Sequence, residues 1–241
     1  MHLARFVHPV CKPPAMNTAR VTTLQQAMRF SMQVLFWVPI AIFSLLLVYN
    51  TLPYFNFSPQ FDFIQERIKL FVNPVYKWSF YLHIAAGAFC ILTALTQFSS
   101  YILRKRKAIH VYAGKIYVLV VLWIGAPTGF YMAFFAKGSY WEKACFLFMA
   151  IFWFLTTYKG LETIKARNVL GHSIWMIRSY AMALTAVSFR VYHILFFLTG
   201  MNHFENYAIS LWISVIGNML IAEYFIYRKS SNYLQSFQLS Q

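Results

Sequence analysis

Six apolar runs constrain this chain more than anything else in it. Val34–Leu52, Ser79–Ser100, Ala113–Phe135, Ala144–Leu161, Met176–Leu198 and Ala208–Tyr227 are each near the ~20 residues a helix needs to cross the hydrocarbon of a bilayer. A segment in lipid must satisfy its own N–H and C=O groups, and a continuous helix does so without help. The expected fold is therefore all-α: an integral membrane bundle of six transmembrane helices. Only 11% of residues are charged, against the ~25% usual in soluble domains. Aromatics make up 20%, which suits interfacial belts of Trp and Tyr.

The basic residues orient the bundle. Of the 21 Lys and Arg, fifteen fall on the side of the chain termini, within residues 5–29, 104–115, 159–178 and 228–229. Five fall on the other side: Arg67, Lys69, Lys77, Lys137 and Lys143. The positive-inside rule then places both termini in the cytoplasm. The expected organisation is a cytoplasmic N-terminal arm over 1–30, a six-helix transmembrane domain over 31–229 and a cytoplasmic tail over 230–241. A bacterial inner (cytoplasmic) membrane is the expected location. The formal net charge of +15 does not point to nucleic acid, because it is spread over four segments at membrane edges. Anionic lipid headgroups on the cytoplasmic side are the expected partners of those segments.

The N-terminal arm is polar and basic, with no small-residue cleavage site after the first apolar run, so that run is read as a retained helix. Met1 and Met16 both stand as possible starts. Cys11, Cys90 and Cys145 show no metal or disulfide spacing. Cys90 and Cys145 sit in apolar runs and read as core thiols. Between Pro53 and Lys77, the pattern Phe61, Ile64, Ile68, Leu70 and Phe71, with Glu66, Arg67 and Lys69 between, predicts a short amphipathic helix on the outer surface. It reads as a packed lid or as part of a ligand site. The third run contains Gly125-Ala-Pro-Thr-Gly129, where proline removes a backbone hydrogen bond and small residues admit close neighbours. Kinking and packing explain it, and so would a gated site.

Arg190 is the residue that points to function. It lies about nine residues from the end of the fifth run, roughly 14 Å of helix. A charge at that depth costs ~2.5–3.5 kcal/mol on insertion scales. None of the six carboxylates lies mid-run, so the counter-charge must be carbonyls, cavity water or a bound anion. His172, eighteen residues earlier, shares its helical stripe, and His193 is one turn beyond. Polar groups in a membrane helix turn away from lipid, so this stripe is expected to face the bundle interior.

The histidines suggest two layers: His110, His172 and Arg178 on the inner side, and His83, Arg190 and, more weakly, His193 on the outer side. His83 has Gly87 one turn later on the same face, which opens a slot for a flat ligand or for a neighbouring helix. Imidazoles facing each other from different helices are what b-type haem takes as axial ligands. His110 with His172, and His83 with His193, are the two candidate pairs, with Arg178 and Arg190 placed to neutralise propionates. The same histidines would also serve as helix caps or contacts to lipid phosphate. No CxxCH motif is present, so any haem would be haem b.

The segments Leu82-His83-Ile-Ala-Ala-Gly87, Gln97, Ile109-His110-Val-Tyr-Ala-Gly114-Lys-Ile-Tyr117 and His172-Ser-Ile-Trp-Met-Ile-Arg-Ser-Tyr180 through Arg190 resemble a bacterial family of predicted membrane proteins, the domain of unknown function 2306. The likeness covers roughly residues 78–195. It implies a multi-helix membrane protein and no particular activity. His83, His110, His172, Arg178 and Arg190 match its motif positions, and His193 does not. The layout is more weakly similar to diheme transmembrane b-type cytochromes, but those carry histidines on four successive core helices, and residues 144–161 here have none.

Two functions are expected on these grounds. One is a haem-binding electron-transfer protein or membrane oxidoreductase, with a redox protein or a quinone as partner. The other is a transporter or anion- or lipid-binding protein using Arg190 in an interior cavity. A structural role without chemistry is the plain alternative. Hydrolase and nucleotide motifs such as G-x-S-x-G, H-E-x-x-H and the phosphate-binding loop are absent from the sequence.

Overall fold

The computed structural model describes residues 18–238. Among them the structure is helical, and six helical segments are long and apolar enough to cross a membrane: Trp37–Asn56, Pro74–Thr93, Lys107–Ala133, Tyr140–Lys165, Val169–Leu198 and His203–Arg228. The chain divides into two compact units, residues 1–41 and 42–241. Helix α1 (Thr18–Thr51) begins in the first unit and ends in the second. Residues 18–30, expected in a non-membrane arm, are thus helical, and the rest of that arm, with Met16 and Cys11, lies outside the described residues.

In the second unit α1 ends in a 3-10 turn, Leu52–Asn56, closed by Phe57 in the left-handed region at φ 53°. The expected single amphipathic helix is instead two one-turn helices, α2 (Asp62–Gln65) and α3 (Ile68–Phe71), parted by Arg67 at φ −122°. This segment is held by Ile64, which is buried, and by stacked rings: Phe61 on Tyr54 at 4.6 Å and Phe63 on Phe80 at 5.1 Å. Helix α4 (Pro74–Gln97) starts earlier than its apolar run because the Asn73 side chain caps Val75 N–H at 2.9 Å and Pro74 opens the first turn.

Helices α5 (Ser100–Lys105) and α6 (Lys107–Val120) follow, then a π-helical turn at Val121–Gly125 and α7 (Ala126–Ala133). The Gly125–Gly129 stretch starts at the end of this π-turn, two residues before Pro127. Helix α8 (Tyr140–Lys165) opens with a complete capping box between Ser139 and Glu142, so the fourth span is longer than its apolar run. Helix α9 (Val169–Leu198) starts from Asn168, and α10 (His203–Gln238) carries the expected polar tail on as helix. Gly200, at φ 79°, turns the chain between α9 and α10.

The core lies where α6, α8, α9 and α10 meet, around Tyr117, Val121, Met182, Leu211 and Val215. Cys90 and Cys145 are fully buried free thiols, as expected. A closed ring of hydrogen bonds links three of these helices. Trp153 Nε1–H donates to Tyr117 Oη (3.2 Å). Tyr117 Oη–H donates to Ser179 Oγ (2.9 Å), Ser179 to Thr157 Oγ1 (2.6 Å), and Thr157 back to the Trp153 carbonyl (2.7 Å). The indole can only donate and the carbonyl can only accept, so every proton in the ring has one direction. Nearby, the Asn218 amide of α10 donates to the Ala181 carbonyl and the Ser188 hydroxyl of α9.

Candidate functional site

A cavity of about 620 Å³ lies inside the second unit, walled by the end of α1, the α2–α3 segment, α4, α7, α8, α9 and α10. Its wall mixes polar side chains, Asn50, Thr51, Tyr54, Arg67, Tyr76, Tyr207 and Arg190, with apolar ones that include Leu47, Ile91, Trp153 and Met182. Leu47 and Ile91 pack with Val187, one turn before Arg190, as a small buried cluster.

Arg190 faces this interior as its depth in the fifth span requires. Its side chain lines the cavity and is solvent-accessible. It donates to the Ala186 carbonyl one turn earlier on its own helix, at 2.7 Å, and lies near Tyr54. Among the described residues no carboxylate lines the cavity and Arg190 has no ion pair. One hydrogen bond to a carbonyl leaves most of the guanidinium's five N–H donors uncommitted among the described residues.

The second cation was missed in the sequence. Arg67 sits between the two lid helices, its side chain only 12% exposed, with its guanidinium over the Phe63 ring at 4.3 Å. It lies beside Tyr76 and Tyr207, and its nearest carboxylate, Glu66, is 3.9 Å away. Glu66 instead pairs with Lys137 at 2.9 Å, which ties the lid to the α7–α8 connection. That ammonium holds the Glu66 carboxyl below the ordinary carboxylate value.

His83 also lines the cavity. Its Nδ1 is 3.0 Å from the Gly125 carbonyl and 3.2 Å from Thr128 Oγ1. A carbonyl only accepts, so Nδ1 carries the proton and Nε2 of the neutral ring carries the lone pair. Gly129 makes room for the ring, since a Cβ there would stand 2.8 Å from His83 Cε1. The Gly-Ala-Pro-Thr-Gly stretch thus seats His83 with its π-turn carbonyl, its threonine and its second glycine. Gly87 lines the cavity as well, and a Cβ there would meet nothing within 4 Å. The slot beside it is open space rather than the seat of a neighbouring helix.

The other expected site residues lie elsewhere. His193 is not on the cavity wall. Its ring stacks on Phe189 at 5.6 Å and faces His203 at 5.9 Å, so the expected pairing of His83 with His193 across one space is not formed. Helical phase put His193 near Arg190, but one turn carries it beyond the cavity to the lid-side end of α9. On the basic face His110 and His172 are close enough for their charges to interact. His172 Nδ1–H donates to the Gly160 carbonyl at 2.8 Å, and His110 Nδ1 is buried with no partner among the described residues. Neither lines the cavity. Arg178 is committed: its Nε and Nη2 reach the two Glu223 oxygens at 2.6 and 3.0 Å, and its guanidinium lies over Trp175 at 4.7 Å. That fork is occupied by a carboxylate of the chain itself. Among the described residues no three metal-ligating side chains gather.

These features define a multi-pass helical membrane protein with a cationic interior cavity. The chain belongs to the family described as "Predicted membrane protein (DUF2306)", which it matches over residues 80–226. That span takes in His83, His110, His172, Arg178 and Arg190 and leaves out Arg67 and the lid. No curated protein and no solved structure matches the chain.

Proposed function

We propose that this protein binds a small anion-bearing molecule in its intramembrane cavity, as a carrier or receptor in a bacterial inner membrane with both termini cytoplasmic. The observation that carries the reading is Arg190: a guanidinium on the wall of a cavity of about 620 Å³ that has no carboxylate on it among the described residues. A charge kept at that depth without a counter-ion is a cost that a bound anion offsets. Arg67 adds a second cation from the α2–α3 segment, and Tyr54, Tyr76 and Tyr207 on the wall supply hydroxyl donors. The 15-to-5 asymmetry of basic residues supports the orientation.

Thermal unfolding of the purified protein with short carboxylates and inorganic phosphate tests the reading. Wild type gains stability as the anion is added, and Arg190→Gln and Arg190→Lys do not, because neither replacement offers the guanidinium fork. An equal response in wild type and Arg190→Gln overturns it.

A second reading, b-type haem, draws support from the imidazoles. His83 and His172 each have Nδ1 held by a backbone carbonyl, which leaves Nε2 for a metal, as in haem and zinc sites. Protein purified from haem-replete cells gives a Soret band and a pyridine-haemochrome signal on this reading. Colourless, folded protein removes it.

A further inference from the structure

Among the described residues the cavity wall can change its charge at one place. Its charged and titratable side chains are Tyr54 from α1, Arg67 from the α2–α3 segment, Tyr76 and His83 from α4, Arg190 from α9 and Tyr207 from α10. Helices α7 and α8 contribute none. Arginine stays protonated and tyrosine stays neutral at ordinary pH. His83 is therefore the wall group whose charge changes between about pH 5 and about pH 8. Its ring is held so that an added proton has one place to go. The Thr128 hydroxyl donates to backbone carbonyls of the preceding turn, so toward His83 it accepts, as the Gly125 carbonyl does. Both take the Nδ1–H, at 3.2 and 3.0 Å, and a second proton can join the ring only at Nε2. Nε2 has no partner among the described residues, and unlike Nδ1 of His110 and of His193 it is not sealed off. A short chain of side chains links His83 to Arg190. Phe80, one turn before His83, meets the Tyr54 ring edge-on at 5.7 Å, and Tyr54 lies near Arg190.

From this arrangement we infer that the cavity binds an anion together with a proton, the anion on Arg190 and the proton on Nε2 of His83. The inference rests on the anion-binding reading and adds a second ligand to it. In the empty cavity a proton on His83 adds a third cation to a wall that already carries Arg67 and Arg190 and no carboxylate among the described residues. With an anion bound, the same proton meets a counter-charge, and in a protein interior that attraction is screened less than in water. By linkage the preference is mutual: the anion tightens proton binding by the factor by which the proton tightens anion binding. The proton comes from water and returns to it, and no bond within the anion is made or broken. A carrier built on this site moves a singly charged anion and a proton as a neutral pair.

The full-length protein in detergent is titrated calorimetrically with sodium acetate and with sodium methanesulfonate. Both stay anionic from about pH 6 to about pH 8, so any proton exchanged belongs to the protein. Titrations at neutral pH in buffers of different ionisation enthalpy count the protons taken up per anion bound. Wild type is expected to take up protons, to a limit of one per anion. It is also expected to bind both anions about fivefold or more tightly at about pH 6 than at about pH 8. His83→Gln and the smaller His83→Asn are expected to take up no proton and to lose the pH slope of anion binding. Anion binding by wild type with no proton uptake overturns the inference and leaves the anion site standing. Uptake that persists in a folded His83 variant overturns it too, and places the proton on another group. If wild type binds neither anion at any pH, the underlying reading has failed first.

Discussion

Two arginines on one helix, twelve residues apart, have opposite surroundings. Arg178 is met by both oxygens of Glu223 on α10 and covered by Trp175. Arg190 is met by one carbonyl of its own helix and by open space. Around Arg178 the basic half of α9 packs into the core, and the ring through Tyr117, Ser179, Thr157 and Trp153 is fully paired. Around Arg190 the wall keeps unspent donors. A cation whose counter-ion is built into the chain is part of the scaffold, and one without keeps its donors uncommitted.

The sharpest way to break this contrast is to damage the closed half. Trp153→Ala removes a core side chain and opens the ring, and the expected loss is about 3–5 kcal/mol, read as a fall in melting temperature in detergent. A much smaller loss would mean the basic half is as loosely made as the cavity half. The next effect has the opposite sign. Arg190→Met removes the uncompensated charge at the expense of one hydrogen bond, so the unliganded protein is expected to gain about 1–2 kcal/mol and to lose its response to anions. A destabilised, anion-responsive Arg190→Met would place Arg190 in the scaffold after all.

Arg178→Met should move the other way, losing about 1 kcal/mol, because it strands the Glu223 carboxylate. The figure is kept low because the Glu223 side chain is 46% exposed and solvent screens the pair. Glu223→Gln in the same background should restore part of the loss. The smallest effect is at the lid. Lys137 lowers the Glu66 carboxyl below its ordinary value, so the clasp contributes fully above the ordinary carboxylate range and is lost as the pH falls through the depressed value. Hydrogen exchange over residues 57–73 is expected to quicken on that acid side in wild type. In Lys137→Met it should already be quick at neutral pH.

The spans were legible because run length and bilayer thickness fix them, but their ends are set by capping signals that run length leaves out. Ser139-x-x-Glu142 and Asn73-Pro74 are such signals, and both lengthen a helix beyond its apolar run. Arg190's inward aim followed from the cost of the alternative. Arg67 was not legible as a wall residue, because its position depends on how two one-turn helices fold over rings supplied by α1 and α4. The slot at Gly87 could be read but its emptiness could not, since only packed neighbours decide whether a glycine seats a helix or leaves a void. His193 shows the limit of helical phase, which gives direction about an axis and not which cavity lies at that height. The carbonyl that seats His83 belongs to a π-turn, whose extra residue leaves no mark in residue spacing.

The directed ring of hydrogen bonds has a mechanical consequence. It fastens α6, α8 and α9 at one height, so none can spin about its axis without breaking the circuit for all three. Motion that widens the cavity falls to the wall elements outside the circuit: α4, α7, α10, the end of α1 and the α2–α3 segment that Lys137 clasps through Glu66.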